Sequence, residues 1–208
     1  MIFIPITILI TIHFEFKYHI SEYLPYYDKN YELKKQIKET RQFKALVVDV
    51  INQWRIYHKH KNPTKTNLHI IQEKLKLARR QNNKIEPSKL NNEWRMYYEY
   101  YYAYNSFICA DTSYGNEATN CLDVAQESIR KITKNKQYGT FSENELNTLS
   151  LFVAAVHLKL DPPSGLAARK AKELYNNYSD KSQLRLNDYC NDRLIIKILE
   201  IAGQECNE

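Results

Sequence analysis

The chain has 208 residues and a mass of 24.8 kDa, enough for one domain with its own apolar core and too little for a large multidomain enzyme. With 43% apolar residues, 26% charged, and only 4 Gly and 6 Pro, it is neither disordered nor fibrous, and so few turn-formers argue against an all-β architecture. The formal charge of +6 is unevenly placed: Met1 to Ile108 carries 18 Lys and Arg against 10 acids, whereas Cys109 to Glu208 carries 12 against 14.

Part of the basicity has no functional meaning. The 20 Ile, 21 Lys, 19 Asn and 17 Tyr are all residues of A/T-dominated codons, so the location of the charge says more than its total. The excess is concentrated between Arg55 and Lys84, where nine cations face the single acid Glu73.

Residues 1–24 are the first predicted element, an apolar strand-like arm. Met1 to Ile12 has no charged side chain and resembles the apolar core of an export signal, but it lacks a basic flank and a small-residue cleavage site. It is also shorter than the roughly 20 residues a membrane span needs, so no stable span is expected. Ile2, Ile4, Ile6, Ile8, Ile10, Ile12, Phe14, Phe16, Tyr18 and Ile20 fill the even positions, while Thr11, His13, Glu15, Lys17 and His19 are polar. This period of two predicts a strand with one buried face. No second strand is predicted, so the arm would pair with another chain, giving a homo-oligomer by strand addition, or pack as an odd arm.

Residues 25–208 read as a single helical domain, with a cysteine-free basic part over 25–108 and a cysteine-bearing part over 109–208. Phe43, Leu46, Val47, Val50, Ile51, Trp54 and Tyr57 form one helical stripe, predicting a long helix over 31–59. Leu68, Ile71, Leu75 and Ala78 predict a second over 67–81, and Pro87 followed by Ser88 predicts a break and a cap. The third helix has two apolar stripes, Leu90, Trp94, Tyr97, Tyr98, Tyr101, Asn105 and Ile108 on one side and Met96, Tyr100, Ala103 and Phe107 on the other. A helix through Ala118 to Ile132 closes near Gly139, and Ser142 with Glu145 matches a capping box for a helix ending at Asp161-Pro162-Pro163. Further helices are predicted over 164–178 and 192–202. The expected fold class is therefore all-α, an irregular bundle of about seven helices preceded by the strand-like arm.

All four cysteines lie in the second half. Cys109 and Cys121 flank the loop containing Gly115 and are the pair best placed to bridge; a helix between Cys190 and Cys206 would hold those two apart, leaving them to other partners. A bridge would suit a secreted or periplasmic protein, whereas four reduced thiols would suit a cytoplasmic one.

Chemistry that needs a motif is absent. Four scattered Gly cannot build a phosphate-binding loop, and no zinc, redox or nucleophile-elbow signature occurs. No catalytic residue, cofactor or metal is therefore expected. His58 and His60 are two apart on a helix end and point away from each other; His157 reads as a buried histidine, and Glu93, Glu99, Asp123 and Glu127 as solvated acids.

Two surfaces remain. The basic stretch offers Arg55, Lys59, Lys65, Lys76, Arg79 and Arg80, and the six tyrosines between Tyr97 and Tyr104 cannot all bury their hydroxyls in a dry core, which puts Tyr100, Tyr102 and Tyr104 at the surface. The expected function is a non-enzymatic module that binds a protein with an acidic surface, of the exported inhibitor or immunity type. The alternative is a cytoplasmic nucleic-acid-binding protein that tracks phosphates with region 55–84 and stacks bases on Trp54 and Tyr57.

Overall fold

Every regular element among the described residues is a helix. The computed structural model describes residues 6–59, 64–135 and 141–160 and isolated positions 169, 173, 176 and 196, with side chains from residue 29 onward except at 59, 143 and 144. The expected helices over 164–178 and 192–202, together with Cys190 and Cys206, lie outside the described residues.

The arm is the first correction. From Ile6 the chain is helical and continues to Lys59 as α1 (Ile6–Lys59), through Pro25, which was expected to separate arm from body. Backbone accounting explains this: a lone strand leaves its N–H and C=O groups without partners, whereas a helix closes its own bonds four residues apart. Pro25 removes one such bond without ending the run. With no strand among the described residues, dimerisation by strand addition loses its basis.

The inward stripe of α1 is Gln36, Thr40, Phe43, Val47, Val50, Ile51, Trp54 and His58, spaced three and four apart with Val50 and Ile51 adjacent. α2 (Lys65–Asn82) starts where the Thr64 hydroxyl accepts from the Asn67 N–H at 3.3 Å, and buries Ile71, Leu75 and Ala78. It returns antiparallel along α1: Lys74 pairs with Asp49, and Gln81 Nε2 donates to the Glu39 carbonyl at 3.2 Å and carboxylate at 2.6 Å.

Pro87–Lys89 is a single 3₁₀ turn, so Ser88 does not cap the next helix. Asn91 does, its Oδ1 accepting from the Trp94 N–H at 2.9 Å at the start of α3 (Asn92–Thr112). α3 is buried on both sides, as its two stripes imply, and forms a hairpin with α4 (Gly115–Lys134). The turn between them is only Ser113 and Tyr114, and Gly115 leaves it at φ +57°, a left-handed conformation that costs glycine little. The capping box forms before α5 (Glu143–Leu160): Ser142 Oγ accepts from the Glu145 N–H at 3.2 Å, and Glu145 Oε2 accepts from the Ser142 N–H at 2.8 Å.

At the centre, Trp54 meets Phe107 and Phe152 edge-on, with centroids 5.2 and 5.3 Å away, and the two phenyl rings stack at 5.5 Å. Three helices thus meet in one aromatic cluster, the sort of contact whose truncation to alanine costs about 3–5 kcal/mol.

Candidate functional site

The aromatic cluster has a polar lid. Asp111, in the last turn of α3 with its side chain 1% exposed, accepts from Trp54 Nε1 at 2.8 Å and from His58 Nε2 at 2.7 Å on Oδ2, and from Lys159 Nζ at 2.7 Å on Oδ1. Lys159 also donates to the Asp111 carbonyl at 2.5 Å. A carboxylate only accepts, so His58 carries its proton on Nε2. Burial by itself would raise the Asp111 carboxyl, but the His58 hydrogen bond and charge, followed by Lys159, outweigh it and hold the carboxyl down at about 2. One carboxylate thereby ties α1, α3 and α5 together. All its oxygens are taken by protein donors, which makes it a structural hub with no open side for substrate.

A second tie lies one half-turn back. Cys109 and Cys121 are joined by a disulfide with Cα atoms 5.9 Å apart, as the spacing predicted. Over it lies Arg79 of α2, whose Nη2 is 2.7 Å from Cys109 Sγ, 3.4 Å from Cys121 Sγ and 2.9 Å from Glu117 Oε1. Arg79, expected among the cations of the basic surface, keeps its side chain 46% exposed and is steadied there by one acid, Glu117, and by the bridge sulfurs.

The remaining predicted site residues separate. Lys65, Lys76 and Arg80 are exposed on α2 and Arg55 on α1, while the Lys59 side chain lies outside the described residues. Lys76 pairs with Glu73 at 2.6 Å, an exposed contact worth little. Along α2, Thr66, Ile70, Glu73, Leu77 and Arg80 form one solvent-facing stripe, and Lys65, His69 and Lys76 lie beside it. Ile70 is 40% and Leu77 49% exposed on this face.

The tyrosines correct the surface expectation. Tyr100 and Tyr104 are buried, at 8% and 6% exposure, and only Tyr102 of the three is half-buried. For Tyr100 the cover is Phe141, whose ring stacks on it at 4.1 Å and meets Tyr97 edge-on at 5.2 Å. Burial, then the neighbouring Tyr104, pushes the Tyr100 phenol far above its ordinary value. Trp54, 1% exposed, cannot stack a base. Glu99, expected in solvent, is buried and paired with Lys131 at 3.1 Å, and Glu127 pairs with Arg130.

Sequence reasoning missed the hub because its members come from three distant segments and each has an ordinary surface explanation. A signal existed: His58 follows Trp54 by four residues on the apolar stripe, and Asp111 directly follows the apolar run Phe107-Ile108-Cys109-Ala110. His157, expected to be the buried histidine, is half-buried; His58 takes that role. No group of three or more His, Cys, Asp or Glu suited to a metal occurs among the described residues, and no helix there is long and apolar enough to cross a membrane. No known family model matches the chain, and no curated protein or solved structure is significantly similar to it.

Proposed function

We propose that the chain is a non-enzymatic helical binding module that docks the acidic surface of another protein on the outer face of α2. The observation that carries this reading is the combination of exposed aliphatic and cationic side chains there: Ile70 and Leu77, one heptad apart, among Lys65, His69, Lys76 and Arg80. A purely solvated helix face gains nothing from two large aliphatics in register, whereas an interface uses them as its dry centre and uses the surrounding charge to steer and select. The antiparallel register set by Lys74 and Asp49 brings exposed Ile56 of α1 level with the first half of α2. The Cys109–Cys121 bridge supports a place in an oxidising compartment, in keeping with an exported inhibitor or immunity-type protein. Nucleic acid is the weaker reading because burial of Trp54 removes the main stacking platform that the basic stretch was expected to carry.

The test is a pull-down from the cells that produce the protein, with partner identification. It compares wild type with Ile70→Ser/Leu77→Ser and with Lys76→Glu/Arg80→Glu, each checked for unchanged helicity. One acidic protein should be retained by wild type and lost more than tenfold by both variants. Equal retention by either variant overturns the reading, and salt-dependent affinity for random DNA in its place selects the nucleic-acid alternative.

A further inference from the structure

The two cysteines of the bridge are not equivalent. Cys109 is 1% exposed in the last turn of α3, while Cys121 is half-buried in the second turn of α4. Arg79 lies closer to the buried sulfur, 2.7 Å against 3.4 Å, and Glu117 anchors its guanidinium there. A neutral disulfide gains little from an adjacent cation. A thiolate gains a great deal, because an opposite charge at this range favours the ionised form. The guanidinium is therefore complementary to what remains after the bond breaks. Asp111, two residues from Cys109, does not cancel it, since that carboxylate is already occupied by Trp54, His58 and Lys159. Glu117 offsets part of the charge, which limits the effect to a moderate one.

We propose that Cys109–Cys121 is a thiol–disulfide exchange site, in which an external thiolate attacks Cys121 Sγ and Cys109 leaves as a thiolate held by Arg79. The electron pair of the incoming sulfur forms the new bond to Cys121, and the pair of the old S–S bond departs on Cys109. A second external thiolate then attacks the mixed disulfide, releasing the oxidised external disulfide and a Cys121 thiolate that takes a proton from water. Two electrons pass from two external thiols to the protein. The substrate class is a small thiol or an exposed protein thiol, because only Cys121 offers sulfur to an approaching group. This inference rests on the geometry around Arg79 and is independent of the binding role of the outer face of α2.

The experiment uses the oxidised full chain and glutathione at pH 7, with samples quenched in iodoacetamide and mapped by peptide mass. Glutathione should be found on Cys121 and the alkyl label on Cys109. Arg79→Ala should slow cleavage about three- to tenfold, as expected for a leaving thiol whose pKa rises by a unit or so. Arg79→Lys should fall between the two, and Arg130→Ala, which removes equal charge from an exposed position of α4 without touching sulfur, should leave the rate unchanged. A variant that merely loosens the hairpin would expose the bond and react faster, the opposite sign. Reversed labelling, or Arg79→Ala reacting as fast as wild type or faster, overturns the proposal.

Discussion

Replacing Asp111 by Asn keeps the size of the side chain and removes its charge, so it isolates what the carboxylate does beneath the bundle. In the folded chain three donors converge on its two oxygens: Trp54 Nε1 at 2.8 Å, His58 Nε2 at 2.7 Å and Lys159 Nζ at 2.7 Å. An amide has one acceptor oxygen, so whichever way it turns, its NH₂ meets a donor. Breaking a buried ionic contact costs about 3–5 kcal/mol, and because Lys159 is 43% exposed and can swing into water, the lower end of about 3 kcal/mol is expected. For a chain of this length that corresponds to a loss of roughly 6–12 °C in Tm. Urea unfolding followed by tryptophan fluorescence reads it as a lower midpoint at unchanged slope. The same change in a Lys159→Met background should cost less, since no cation is then stranded. A single variant within about 0.5 kcal/mol of wild type would refute the hub.

Acid titration tests the same group independently. The Asp111 carboxyl sits at about 2 in the folded chain against an ordinary 3.8, so its contribution is complete above about pH 4 and is lost as pH falls towards 2. The stability gap between wild type and Asp111→Asn should narrow by about 2 kcal/mol across that window; a constant gap would contradict the assignment. Gly115→Ala should destabilise by about 1 kcal/mol through backbone strain alone, because nothing lies within 4 Å of the added Cβ, and a neutral result in thermal melts would show that the turn relaxes freely. Removing the bridge with Cys109→Ala/Cys121→Ala should cost about 3 kcal/mol, the loop-closure value for a separation of 12 residues, and should leave far-UV circular dichroism unchanged; loss of helicity would mean the hairpin depends on the bond to form.

Local rules of helix formation were legible in the chain and long-range pairing was not. The stripe from Phe43 to Trp54, the capping box at Ser142 and the bridge between Cys109 and Cys121 each depend on residues close in sequence, and all three are present. The first twenty residues misled because alternation of Ile with polar residues reports side-chain type, whereas the choice between strand and helix there turned on whether a partner strand existed. The surroundings of Arg79 and the burial of Tyr100 were illegible for another reason. Each was judged from its own segment, and each is claimed by a residue far along the chain, Glu117 and Cys109 for the arginine and Phe141 for the tyrosine. Two cations between Arg55 and Lys84 likewise have acidic neighbours outside that stretch, Asp49 for Lys74 and Glu117 for Arg79.

The covalent bridge at Cys109 and the carboxylate at Asp111 occupy the same final turn of α3, so four of the five α-helices among the described residues are fastened within three residues. Amide hydrogen exchange should find that turn among the slowest in the molecule, opening only when the whole bundle opens, whereas a helix C-terminus without such ties frays first.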